Sequence, residues 1–256
     1  MTRPTLAVHK FSSCDGCQLQ ILNMEDELLD LNEAVDIAYF LEASSATRPG
    51  PYTISMVEGS VTTEHEVERI KKIRHESKIL ISIGTCATAG GIQALRNVAD
   101  ADEYANIVYP NPEYLSYLKK ASPISDYVDI DMELWGCPVN KKQLLEVIVA
   151  LLQNRRPVLP QGSVCMECKQ AGTICVLVAE GVPCIGPATR AGCGAVCPTM
   201  GRGCYGCFGP QDEANTDSLS DILTDIERYP GETVRLFNNI SNFAPAFQEA
   251  ISKLTD

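Results

Sequence analysis

The chain has 256 residues, 45% of them hydrophobic and 21% charged, which suits one good-sized core or a core with a smaller domain attached. A net charge of −12 argues against a nucleic-acid partner, because a phosphate-binding face needs a basic stripe and none is visible. There is no long apolar run, no apolar signal core and no twin-arginine pair, so the expectation is a cytoplasmic protein without a membrane span.

From residue 4 to about 154, short apolar runs alternate with amphipathic stretches. Leu6-Ala7-Val8 reads as a first strand, Val35 to Leu41 as a second and Tyr52 to Val57 as a third. Ile79 to Ile83 is a β-branched run of the kind buried on both faces of a parallel sheet, and Tyr127 to Leu134 is a fifth candidate. Between them, Ile21, Met24, Leu28 and Leu31 recur at helical spacing and predict one apolar helix face. Thr63 and Glu66 form a capping-box pattern ahead of Val67, Ile70 and Ile73, and Asn140 with Gln143 loosely repeats it ahead of Leu144 and Ile148. This alternation predicts a doubly wound α/β domain over residues 1–156 with a five-stranded parallel sheet.

The cysteines give the chain its chemistry. Cys14 and Cys17 follow the first strand, Cys86 the fourth and Cys137 the fifth, while Glu58-Gly59-Ser60 ends the third. Carboxyl ends of parallel strands share one sheet edge, so these four thiols are expected to meet at a single site. The other eight cysteines, at 165, 168, 175, 184, 193, 197, 204 and 207, crowd a stretch rich in glycine and proline. Such a segment buries too little apolar surface to order itself, and in a reducing compartment metal is favoured over disulfides.

Twelve cysteines divide into three groups of four with none left over. The irregular spacing from Cys175 through Cys184 and Cys193 to Cys197 suits iron–sulfur clusters better than the paired knuckles of a zinc ribbon. His9, His65 and His75 read as core or surface residues, and the lone Trp135 as packing. No P-loop, dinucleotide fingerprint or nucleophile elbow occurs, which points to electron conduction with the catalysis on a partner. From Gln211 the tail is first polar and then amphipathic: Asp217 is expected to cap a helix that Pro230-Gly231 ends, and one more short helix follows.

Ser13-Cys14-Asp15-Gly16-Cys17-Gln18, Glu58-Gly59-Ser60, Gly84-Thr85-Cys86-Ala87 with Gly90-Gly91-Ile92, and Gly136-Cys137-Pro138, in that order, resemble the small subunit of nickel–iron hydrogenases. The likeness continues through Cys184-Ile-Gly-Pro187-Ala-Thr189 and Cys204-Tyr-Gly-Cys207, covering about residues 5 to 210. It implies a flavodoxin-like domain (1–156) followed by a loop-rich cluster domain with C-terminal helices (157–256). It also implies three [4Fe-4S] clusters: a proximal one on Cys14, Cys17, Cys86 and Cys137, a medial one on Cys193, Cys197, Cys204 and Cys207, and a distal one on Cys165, Cys168, Cys175 and Cys184.

The implied partners are a large subunit holding the Ni–Fe site and a flavin-containing, iron–sulfur NAD(P) reductase, with Glu58 as a candidate proton relay. Membrane-associated members use histidine where this chain has Cys165, and commonly proline at the position of Cys197, so the resemblance favours the cytoplasmic, NADP-linked (sulfhydrogenase) type. Delivery of electrons to heterodisulfide reductase is the alternative within the family. The respiratory NADH dehydrogenase subunit, with adjacent cysteines in its first motif and one cluster, is a poorer match. Outside the family stand a self-sufficient polyferredoxin-like carrier and a zinc-stapled interaction module.

Overall fold

The structure is a computed structural model in which residues 3–227 and 230–255 are described. The chain divides into two compact units, Met1–Leu134 and Trp135–Asp256. The first holds a five-stranded, all-parallel sheet in the order β2-β1-β3-β4-β5. Its strands are β1 (Thr5–Lys10), β2 (Asp36–Phe40), β3 (Tyr52–Glu58), β4 (Ser77–Ile83) and β5 (Met132–Leu134). In β4, Leu80, Ile81 and Ile83 are completely buried, as the unbroken apolar run requires of a strand covered on both faces.

The register brings the strand ends level. Lys10 lies opposite Glu58, Glu58 opposite Ile83, and Ile83 opposite Leu134. The loops that leave β1, β3 and β4 therefore start along one sheet edge, and the chain turns into the second unit directly after β5.

Two local expectations are refined and a third is met. The apolar face from Ile21 to Leu31 is carried by two helices, α1 (Gly16–Leu22) and α2 (Asp26–Ala34), because the chain breaks at Glu25 with φ +50°. The fifth strand is only Met132–Leu134: Ile124–Asp126 forms a short 3-10 turn, and Tyr127 packs into the apolar cluster around Ile124. The capping box is present as read: Thr63 and Glu66 cap each other's backbone at the start of α3 (Glu64–Glu76). Behind β4 come α4 (Gly84–Ala89), a 3-10 segment (Gly91–Val98) and α5 (Ala101–Val108).

The second unit opens with α6 (Lys141–Leu152). This helix lies in the same unit as the cysteine-rich stretch. The side chains of Asn140 and Gln143 both donate to the Gly192 carbonyl, at 3.0 and 3.1 Å, so Gln143 is occupied there rather than in a second capping box. Only short helices follow through the cysteine-rich stretch: α7 (Val164–Gln170), α8 (Val176–Glu180) and α9 (Val196–Thr199).

Three helices close the chain: α10 (Thr216–Glu227), α11 (Pro230–Phe237) and α12 (Pro245–Thr255). The cap of α10 is supplied by Asn215, whose side chain accepts the Ser218 N–H at 3.1 Å, and not by Asp217, which pairs with Lys253 at 2.8 Å. Phe237 and Phe247 meet at 5.5 Å between ring centroids in the core of this bundle. Among the described residues no helix is long and apolar enough to cross a membrane.

Candidate metal centres

Three thiols of the first unit, Cys14, Cys17 and Cys86, stand in the segments that leave the level strand ends. Cys14 and Cys17 bracket the entry to α1, which begins as β1 finishes, and Cys86 lies in α4, immediately behind β4. The loop before α1 is held by its neighbours. Glu58, only 2% exposed at the end of β3, accepts the backbone N–H groups of Cys17 (3.0 Å) and Gln18 (3.3 Å). Gln93, just past Cys86, donates to the Ser12 carbonyl at 2.9 Å.

Gly91 lies directly against Cys86. A Cβ there would be 2.5 Å from the sulfur, and its φ of +63° is one that few other residues adopt. Cys137 belongs to the second unit but follows the end of β5 by three residues, so the chain alone keeps it within about 11 Å of extended backbone from Leu134.

In the second unit, Cys165, Cys168, Cys175 and Cys184 line one cavity of about 140 Å³, whose other walls include Val164, Val176, Leu177 and Pro187. Among the described residues no three His, Cys, Asp or Glu side chains converge closely enough for a single metal ion. Four thiols spaced around an apolar hollow fit a polynuclear group with separate corners better than one zinc ion.

Burial raises the Cys168 thiol to about 11, with the neighbouring Cys165, Cys184 and Cys175 adding to the effect. Cys165 is raised for the same reasons, burial first and then Cys184. Thiols in that condition stay protonated until a cation arrives, so binding iron there releases protons.

Cys193, Cys197, Cys204 and Cys207 are the remaining four cysteines. Burial lifts Cys204 and Cys207 to about 12; Cys193, Cys137 and Cys197 stand near enough to Cys207 to contribute, and Cys184 and Cys207 do the same for Cys204. Two cysteine sulfurs accept backbone hydrogen bonds from other cysteines. The Cys204 N–H donates to Cys184 Sγ at 3.2 Å, and the Cys137 N–H donates to Cys207 Sγ. Glu167, which motif reading passed over, accepts the Gly192 and Gly194 N–H groups, both at 3.0 Å, around Cys193. Its only sequence signal is a carboxylate placed inside a Cys-x-x-Cys pair.

A level row of strand ends bearing cysteine loops, followed by a loop-rich unit with eight more thiols, defines an iron–sulfur protein built on a flavodoxin-like sheet. The sequence profile of the family described as NADH ubiquinone oxidoreductase, 20 Kd subunit, matches residues 14–151. The chain is 36% identical over 221 residues to the sulfhydrogenase 2 subunit delta of Pyrococcus furiosus, covering 86% of this chain and 92% of that one. It is 34% identical over 243 residues to a subunit of the vhu F420-non-reducing hydrogenase of Methanocaldococcus jannaschii, covering 82% and 84%.

Among solved structures, the NAD+-reducing [NiFe]-hydrogenase in its H2-reduced state aligns with a TM-score of 0.58 at 25% identity, over 62% of this chain and 96% of that one. An actinobacterial-type NiFe-hydrogenase from Ralstonia eutropha H16 shares the fold along 100% of this chain and 90% of its own, with a TM-score of 0.60 and 16% identity. The chain belongs to the NADH ubiquinone oxidoreductase 20 Kd subunit family, within which it is an electron-transferring small subunit of a [NiFe] hydrogenase.

Proposed function

We propose that this subunit relays electrons through three [4Fe-4S] clusters, in the cytoplasm, between the Ni–Fe site of a large subunit and a flavin-containing, iron–sulfur NAD(P) reductase. Residues 1–156 carry the proximal ligands Cys14, Cys17, Cys86 and Cys137, and residues 157–256 carry the other two sets. Cys193, Cys197, Cys204 and Cys207 hold the medial cluster, and Cys165, Cys168, Cys175 and Cys184 the distal one. When bound, such clusters supply one-electron steps whose potentials follow charge, burial and hydrogen bonds to sulfur.

The observation that carries this reading is the shared cavity of Cys165, Cys168, Cys175 and Cys184, together with the hydrogen bonds leading from it to the next set and from that to Cys137. Glu58 joins it as a proton-relay carboxylate, supported by burial that raises its affinity for a proton above that of an ordinary glutamate. The likeness to the sulfhydrogenase subunit, and to the NAD-reducing hydrogenase HoxS subunit delta of Cupriavidus necator at 31% identity over 162 residues, supports a nicotinamide acceptor. The likeness to proteins from methanogens keeps a second reading, in which heterodisulfide reductase takes the electrons.

Purification of the native complex tests both. The expected result is at least about twelve iron and twelve acid-labile sulfide per chain of this subunit, the Ni–Fe site and the reductase adding their own, with a co-purifying large subunit and H2-dependent reduction of NADP or NAD. H2-dependent reduction of a heterodisulfide, with none of the nicotinamide, selects the second reading. Zinc without sulfide, or a subunit isolated alone, overturns the proposal.

A further inference from the structure

Glu167 lies within Cys165-Met-Glu-Cys168, yet its carboxylate serves a different loop. One oxygen, Oε1, accepts both the Gly192 and Gly194 N–H groups at 3.0 Å, while Oε2 stands 3.7 Å from Cys193 Sγ. Those glycines have φ of +135° and +72°, so the backbone bends its amides inward on either side of Cys193, forming a small anion-holding concavity. The same loop is gripped from the other direction, where the Gly192 carbonyl accepts from Asn140 and Gln143. A fixed negative charge is thus built beside one ligand sulfur, on a loop with little freedom to carry that sulfur away.

Resting on the ligand assignment above, we propose that Glu167 is a positioning residue that fixes the Cys193 loop and holds down the reduction potential of the group bound through Cys193. A carboxylate beside the sulfur opposes the arrival of an electron, and its Oε2 offers that sulfur no donor. Both net charge and hydrogen bonds to sulfur set cluster potentials. In Glu167→Gln the Oε1 acceptor for the two glycines is kept, the charge is lost, and an N–H donor takes the place of Oε2. Both changes move the potential upward.

The test is a redox titration of the native complex followed by electron paramagnetic resonance, with iron and sulfide measured in each sample. The E167Q complex should keep its full iron and sulfide while one signal is reduced at least tenfold more readily, which is about 59 mV for a one-electron couple. Glu167→Asp, which keeps the charge, should titrate close to the parent. Gln143→Leu loosens the same loop without changing charge and should move no signal upward by that amount.

Full iron with unmoved potentials in E167Q overturns the proposal, and so does an equal upward shift in Q143L, which would make loop position the cause. Loss of iron in E167Q reduces Glu167 to an anchor and also overturns it. Iron and sulfide missing from the parent complex would instead sink the cluster assignment itself, so the two failures are told apart.

Discussion

The carboxylate of Glu58 spans from the end of β3 to the loop behind β1, accepting the Cys17 N–H at 3.0 Å and the Gln18 N–H at 3.3 Å. Those amides lie in the first turn of α1, where backbone donors have no partner within the helix. One buried side chain therefore both sets the backbone at Cys17, a cluster ligand on the proposed assignment, and carries a raised proton affinity. Two substitutions separate these roles. Glu58→Ala strands two buried donors, at about 1–3 kcal/mol each, and should lower Tm and iron content together. Glu58→Gln keeps an acceptor and should fold with nearly full iron while hydrogen turnover falls tenfold or more. Undiminished turnover in that variant removes the relay role and leaves the cap.

Gly91 offers a test confined to the first set of thiols. A methyl group there meets Cys86 Sγ at 2.5 Å and Cys86 Cα at 2.7 Å, on a backbone with φ +63°. The strain is on the order of 1–3 kcal/mol, and its simplest relief is to move Cys86. On the proposed assignment, Gly91→Ala should lose about four irons per chain while the signals of the other two proposed clusters are kept. An unchanged iron content would mean that Cys86 is not a ligand.

His9 governs part of the response to acid. It is 4% exposed, stacked against Tyr39 with 4.6 Å between ring centroids, and its Nε2 is buried with no hydrogen-bond partner. Burial first, and Arg69 second, lower it from 6.5 to about 3. An unfolded chain binds this proton below about 6.5 while the folded one does not, so the contribution to stability is complete above that pH and is lost as pH falls toward about 3. The loss is of the order of a few kcal/mol. His9→Phe should flatten that part of the curve when Tm is followed from pH 7 downward, the difference from the parent isolating His9. Parallel curves would contradict the assignment.

The turn between α11 and α12 reaches the Cys204–Cys207 loop through Ser241, whose buried hydroxyl donates to the Gly206 carbonyl at 2.7 Å. Ser241→Ala should cost about 1 kcal/mol and speed the loss of iron to a chelator. An unchanged rate of iron loss would show that the tail only covers this loop.

The parallel sheet was legible because apolar runs at strand spacing are a pattern the chain cannot hide, and so was the placing of Cys14, Cys17 and Cys86 in the loops and helices that leave β1 and β4. The break between α1 and α2 was not, since nothing in Asn23-Met24-Glu25 announces that Glu25 takes a positive φ. Asp217 looked like a cap because it precedes Leu219 and Ile222, but Asn215 is set two residues earlier and leaves Asp217 to Lys253. The contacts of Gln143 and Glu167 were not legible, for a common reason. Their partners lie 49 and 25 residues away, at Gly192, and hydrogen bonds of that reach leave no periodic trace.

The amides of Cys137 and Cys204 each point at a sulfur belonging to the next set along, Cys207 and Cys184 respectively. On the proposed assignment these two contacts make the subunit a circuit wired in series, in which every junction is a peptide N–H, a group that every replacement except proline keeps. Evolution can retune the stations along such a line by changing what surrounds them. To reroute the current it would have to rebuild the backbone.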